Sequence, residues 1–205
     1  VATQGYFTGM FPPGKKESRL AAIVLKNLLE AHVQTYHALK KMENGPDVQI
    51  GLVKNIHQFE PWRRWHLLDW LVSKLVSYFF NGSTIDFLRT GKFKMRIPGM
   101  LWINHENSKA INSMDYFGLN YYSHNHLKIQ LSFVEPFTMK FKTEDIMTDM
   151  LYSIYGEGLY RAIEFVSVLN IPIMITENGI ADAEDNRREL YIKRYLYAAS
   201  RAIEK

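Results

Sequence analysis

Glu177 stands at the end of Ile173-Met174-Ile175-Thr176, an apolar run with β-branched residues that reads as a buried strand. Asn178-Gly179 follows as a turn. A carboxylate delivered by a strand end into a turn can serve as a nucleophile or a general base. Two earlier strands end in polar groups as well. One delivers Asn55, His57 and Gln58, and the other delivers Asn120 and Tyr122. In a barrel of alternating strands and helices, active sites gather at the carboxyl ends of the strands. Polar residues also appear there simply because loops begin, so the pattern alone leaves both readings open. His124-Asn125-His126 offers a different chemistry, metal ligation. A metal site needs three or four converging ligands, and the neighbouring sequence offers no obvious carboxylate partner. A polar loop after a strand is the plainer expectation, and no metal or cofactor is assigned.

The elements that must position these groups follow from hydrophobic period and breakers. Residues 1–17 carry Gly5, Gly9, Pro12, Pro13 and Gly14, which is loop chemistry. The spacing predicts a helix over 20–41, with Ala21, Val24, Leu28 and Ala31 inward and Lys26, Glu30, Gln34 and His37 on the wetter side. Asn44-Gly45-Pro46-Asp47 ends it. A strand over 48–53 comes next, then a helix over 65–80 burying Leu68, Leu71, Val72, Leu75, Val76 and Phe79. Between 82 and 113 only a short helix over 84–89 is expected, the remainder being loop. Residues 114–122 read as a strand. After it Leu127, Ile129, Leu131 and Phe133 alternate with Lys128, Gln130 and Ser132, an extra exposed strand of antiparallel character. A helix over 157–169 leads into a strand over 171–176. The last helix starts near Asn186, with Glu189 as its N-terminal signature and Ile192, Leu196, Ala199 and Ile203 inward.

Strands alternating with helices argue for an α/β fold with parallel strands and helical crossovers. Three such strands cannot close a barrel, and a whole (β/α)8 barrel takes ~250 residues. Short repeats and flexible linkers are absent from the 205 residues, so a single domain over 1–205 is expected. The composition is 47% hydrophobic, enough to bury a core, and the net charge of +4 comes from scattered basic residues. Nucleic-acid binding calls for a basic stripe, and none is present. With no cysteine, disulfides, zinc–thiolate sites and a cysteine nucleophile are excluded. No apolar run approaches the ~20 residues of a membrane span, and no charged-then-apolar leader is seen. A cytoplasmic protein with no membrane partner is the expectation. The chain opens at Val1 in loop chemistry and stops at Lys205 within a helix that has no stop signal, so both ends read as cut.

Thr176-Glu177-Asn178-Gly179 resembles the nucleophile motif of the family 1 glycoside hydrolases, the retaining β-glucosidases and their relatives. The resemblance runs along the whole chain in order. Gly5-Tyr6, Gly9 and Pro12-Pro13-Gly14 resemble the loop after the family's fourth strand, and Asn27, Ala31 and His32 its following helix. Ile50-Gly51-Leu52-Val53 with Asn55 is similar to the fifth strand, and Asp115-Tyr116-Phe117-Gly118-Leu119-Asn120-Tyr121-Tyr122-Ser123 to the sixth. Gly158-Leu159-Tyr160 resembles the helix start before strand seven. Asp185, Arg188 and Tyr191 match the spacing after the nucleophile. The resemblance implies a partial (β/α)8 TIM barrel, strands five to seven with flanking helices. It also implies a retaining β-glycosidase that acts on a small-molecule β-glycoside without cofactor or metal.

By the same resemblance Glu177 would attack the anomeric carbon and form a covalent glycosyl-enzyme. Tyr122 would donate a hydrogen bond that orients the carboxylate and favours its ionised form. Asn120, Asn55 and Asn178 would line the sugar site. Adjacent strand residues face opposite ways, so Tyr121 should be the structural partner of the Tyr121–Tyr122 pair. The family's acid/base glutamate lies in an Asn-Glu-Pro motif that this chain does not contain; Glu60, Glu106, Glu135 and Glu157 match no such motif. The chain therefore reads as a fragment from after strand four through the helix after strand seven, inactive by itself. Tyr155-Gly156-Glu157 has glycine where the family commonly has proline, Phe79-Phe80 stands where tryptophan is common, and Lys54 is unusual before Asn55. Two alternatives remain at this level: a non-catalytic glycosidase-like barrel that binds sugar or protein, and a 6-phospho-β-glycosidase.

Overall fold

The computed structural model describes residues 1–97, 101–130, 132 and 136–205. Leu131 and Phe133 of the expected exposed strand, and Glu135, lie outside the described residues. In chain order the main elements are α1 (Ser18–Leu39), β1 (Gly51–Asn55), β2 (Gln58–Pro61), α2 (Leu67–Ser77), α3 (Ser83–Thr90), β3 (Lys92–Ile97), β4 (Leu101–Glu106), β5 (Tyr116–Asn120), β6 (His124–Ile129), β7 (Phe137–Lys140), α4 (Glu157–Ser167), β8 (Ile173–Glu177) and α5 (Arg188–Ile203). They fall into two compact units: Val1–Leu52 with Gly82–Tyr116, and Val53–Asn81 with Phe117–Lys205. Among the described residues no helix is long and apolar enough to cross a membrane.

In the first unit α1 buries Ala21, Ala22, Leu29 and Val33. This corrects the expected stripe, because Leu28 and Ala31 face solvent. Glu30, expected on the wetter side, is half-buried instead. Its carboxylate accepts from Asn107 Nδ2 at 2.9 and 3.1 Å and lies 2.7 Å from His105 Nε2. The segment read as loop contains the antiparallel hairpin β3–β4, in register from Lys92 opposite Glu106 to Ile97 opposite Leu101. Phe93 and Met95 point inward and Lys92, Lys94 and Arg96 outward, an alternation of period two present in the sequence. Gly91 ends α3 with φ +71° and donates to Phe87 O at 2.8 Å, a left-handed stop that glycine adopts without strain.

The second unit carries the candidate site. β5 pairs with β8 in parallel, and the sheet order is β1-β5-β8. A second sheet runs β2-β6-β7, with β2 and β6 parallel and β6 and β7 antiparallel. Phe117, Leu119, Tyr121, Leu127, Leu159, Ala162 and Val166 form a fully buried core between strands and α4. Gly118 allows the close approach of β5 to its neighbours. A Cβ there would lie 2.7 Å from Val53 Cγ2 and 3.2 Å from Thr176 Cγ2.

Three further expectations are corrected here. β8 is not a buried strand: it is the edge of its sheet, and Met174 and Ile175 stay exposed. α2 buries Asp69, Val72 and Ser73, whereas Leu68, Leu71 and Leu75 are exposed. The reason is Asp69, which accepts from Arg63 Nε at 2.8 Å, Arg63 Nη2 at 3.0 Å and Ile129 N at 3.0 Å, a buried polar hub that fixes the helix's orientation. α5 turns Tyr191, Tyr195 and Ala198 inward, one residue out of phase with the expected Ile192, Leu196 and Ala199. Its tyrosines carry hydroxyls that find backbone partners, which a purely apolar reading misses.

Candidate active site

Parallel pairing puts Asn120 of β5 directly opposite Glu177 of β8, across an irregularity in register between Leu119 and Asn120. Both residues therefore emerge at the carboxyl end of the sheet. Two residues after Asn120, Tyr122 Oη donates to Glu177 Oε2 at 2.8 Å. Burial and that hydrogen bond raise the Tyr122 phenol to about 12, so it remains a donor throughout the neutral range. Tyr121 turns the other way and is fully buried, and its hydroxyl donates to Tyr155 O at 2.9 Å. Alternation along the strand thus separates one packed tyrosine from one that reaches the carboxylate.

The remaining expected residues take distinct places. Asn120 is buried at 8% exposure, and its Oδ1 accepts from Thr176 Oγ1 at 2.6 Å, a bond that does not use its amide NH2. Asn178 donates from Nδ2 to Tyr121 O at 2.6 Å, tying the chain after Glu177 back to the end of β5; no turn forms at Asn178-Gly179, contrary to expectation. Asn55 is exposed at the end of β1, one residue before the Ile56 N–H that donates to Asn120 O at 2.9 Å. Beside it, burial lowers the Lys54 amine to about 8; the amine donates to Asn55 O at 3.1 Å and lies 4.2 Å from the Phe80 ring. Burial likewise holds His57 down at about 4, with its Nε2 2.7 Å from Asn125 Oδ1.

A ring of tyrosines, not anticipated from sequence apart from Tyr191, holds the loop that follows Glu177. Gly179 N donates to Tyr191 Oη at 2.9 Å, and Tyr152 Oη donates to Gly179 O at 3.0 Å. Tyr195 Oη donates to Tyr122 O at 2.6 Å and accepts from Tyr155 N at 3.0 Å. Arg188 pairs with Asp185 and donates to Ile180 O at 3.3 Å, so the Asp185, Arg188 and Tyr191 spacing is a clamp from α5 onto that loop. The sequence signal for Thr176, Tyr152 and Tyr195 is weak, since each acts through a backbone or strand neighbour that only pairing defines.

The sequence profile of Glycosyl hydrolase family 1 matches residues 1–205. The chain belongs to glycosyl hydrolase family 1. This family 1 chain is 26% identical over 239 residues to β-glucosidase A of Acetivibrio thermocellus, covering 100% of itself and 50% of that protein. It is 23% identical over 220 residues to a β-galactosidase of Pyrococcus woesei, covering 95% of itself and 42% of that protein. The solved β-glycosidase from Pyrococcus horikoshii superposes with a TM-score of 0.83 at 27% identity, over 99% of this chain and 45% of that one. The family 1 chain therefore spans about half the length, or less, of the relatives it matches. Its fold is part of a (β/α)8 barrel, in which β5 and β8 are neighbouring parallel strands joined through α4.

Proposed function

We propose that the protein carrying this chain is a retaining β-glycosidase acting on small β-glycosides of the glucoside type, with Glu177 as nucleophile. The observation that carries the reading is the 2.8 Å contact from Tyr122 Oη to Glu177 Oε2 at the carboxyl end of a parallel sheet, in a family 1 chain. In the first step a Glu177 oxygen bonds to the anomeric carbon as the bond to the leaving-group oxygen breaks. A second carboxyl group protonates that oxygen. In the second step the same group takes a proton from water, the water oxygen bonds to the anomeric carbon, and the Glu177 ester is released. Tyr122 orients the attacking carboxylate, and Asn120, fixed by Thr176, presents its amide to the sugar hydroxyls. Asn55 lines the neighbouring rim. Asn178 lines the sugar site beside them: one amide N–H holds the chain after Glu177 to Tyr121 O, and the side chain has a second N–H and an acceptor oxygen besides.

The chain has no Asn-Glu-Pro, so the second carboxyl group is assigned to residues other than these 205. The test treats the whole protein with a 2-fluoro glycoside bearing a good leaving group, then maps the adduct by peptide mass spectrometry. The expected result is one sugar ester on Glu177 and loss of labelling in Glu177→Gln. An adduct on any other carboxylate would overturn the assignment. Residues 1–205 alone should show no steady turnover of an aryl β-glucoside.

A further inference from the structure

The parallel register of β2 and β6 sets Gln58 opposite His124 and Glu60 opposite His126. Because alternate strand residues share a face, His124 and His126 project together, with Glu60 beside them from the next strand. One ligand atom from each of the three side chains lies within 4.8 Å of the others. The carboxylate partner that the His-x-His segment lacks in the neighbouring sequence is thus supplied by a residue 64 positions upstream of His124. His124 also opens β6 rather than sitting in a loop.

The two imidazoles are buried, at 5% and 2% exposure. His124 Nδ1 and both ring nitrogens of His126 have no hydrogen-bond partner. The Pro61 carbonyl is near His126 without reaching hydrogen-bond geometry. Buried polar atoms are normally paired, and this concentration of orphaned nitrogens in one place asks for a missing partner. On a neutral imidazole one nitrogen offers a lone pair, which a cation can take, and the other carries an N–H.

We propose that Glu60, His124 and His126 form a three-ligand divalent-cation site of the zinc class that fastens β2 to β6. The surroundings have the form of an outer shell. Glu60 points Oε2 towards His124 Nδ1 at 3.9 Å, while its Oε1 accepts from Tyr155 Oη at 3.0 Å and from Arg161 Nη1 of α4 at 2.7 Å. On the far side of the His124 ring, Asp145 Oδ1 lies 3.9 Å from Nε2, placed to orient the imidazole whose Nδ1 binds the ion. The Tyr155 ring stacks on His124 at 3.9 Å and 16°, which sets the ring plane. Ligand atoms 2.0–2.1 Å from a tetrahedral zinc ion are about 3.4 Å apart, so the cluster closes by roughly an ångström through side-chain rotation. Lys142 and Arg161 oppose a cation there, and Glu60 and Asp145 offset them. The fourth position is left to water.

The test uses the whole, untagged protein after chelator dialysis, titrated with Zn2+ by calorimetry and with Co2+ by visible absorption. One equivalent of Zn2+ should bind and raise the unfolding temperature, and Co2+ should develop the intense bands of a tetrahedral site. Glu60→Gln and His126→Gln should each weaken Zn2+ binding at least tenfold. Asp145→Asn, which keeps all three ligands and so preserves the fold most closely, should weaken it to a smaller extent. Absence of binding heat and of Co2+ bands in the wild-type protein would overturn the proposal. Unchanged affinity in the folded His124→Gln/His126→Gln double variant would do the same.

Discussion

Tyr122 and Glu177 form the shortest path from this sequence to a reaction, and the geometry separates their tasks. A phenol held at about 12 cannot share the carboxylate's proton in the working range, so it acts only as a donor. On the proposed mechanism, removing that donor in Tyr122→Phe loosens the aim of the Glu177 carboxylate. A hydrogen bond to a charged group is worth about 1.5–3 kcal/mol. If it is realised in the transition state, kcat/KM in the whole protein falls by roughly 10- to 150-fold. Stopped-flow measurement of the glycosylation step checks this, and a variant with unchanged rate would detach Tyr122 from catalysis. Lys54 makes a separate prediction. Its folded pKa of about 8 lies below the value of ~10.4 it takes when unfolded. Between those values the unfolded chain binds the extra proton, so the Lys54 contribution to stability rises with pH across that window. Below about 8 the buried ammonium destabilises the fold by at most roughly 3 kcal/mol. Urea midpoints of wild type and Lys54→Met should therefore differ most at pH 7, with the variant more stable, and converge above pH 10. Parallel profiles would refute the burial of this charge.

At the scale of elements, the site depends on α4 and α5 pressing onto the ends of β5 and β8. Gly158 in the first turn of α4 is where this contact is tightest, since a Cβ there would fall 1.8 Å from Tyr121 Oη. Gly158→Ala must displace either the helix or the tyrosine whose hydroxyl holds Tyr155 O. Over-packing of this kind costs typically 1–3 kcal/mol, and here it also threatens a buried hydrogen bond. The expected result is a drop in unfolding free energy towards the upper part of that range, read by urea denaturation; a neutral outcome would show that α4 is free to move. Such contacts explain what could be read in the sequence. The existence and order of α1, β1, α2, α3, β5, α4, β8 and α5 follow from local chemistry and were legible. The inward face of α2 was not, because Asp69 and Ser73 occupy it, so apolar counting pointed to Leu68, Leu71 and Leu75. β2 carries no apolar alternation of its own and exists through its pairing with β6. The Glu60, His124 and His126 cluster was illegible for the same reason: the carboxylate arrives by register, not by sequence proximity.

At the scale of the molecule, the second unit leaves apolar strand surface uncovered. Val53 of β1 is 51% exposed, and Met174 and Ile175 of β8 are 54% and 40% exposed. These two strands are the edges of the three-stranded sheet, and their outer backbone groups are templates for another strand. A closed barrel abolishes such edges, and the relatives of this chain are about twice its length. Ile173-Met174-Ile175 is therefore composed for an interior, which is why it reads as a buried strand, and what its sequence anticipates is a neighbour on its free side. Residues 1–205 on their own should then self-associate or bind a hydrophobic dye such as ANS. Replacing Met174 with Lys puts a charge on the exposed edge and should suppress both effects. In the whole protein the same substitution acts in the opposite sense: a lysine in a covered strand destabilises the fold, and the unfolding temperature falls. Sedimentation velocity and dye fluorescence on the 205-residue chain, with thermal unfolding of the whole protein, read the two arms. A monomeric, dye-silent chain would mean that the edges of β1 and β8 are stable in water as they stand, and the case for a covering strand would fail.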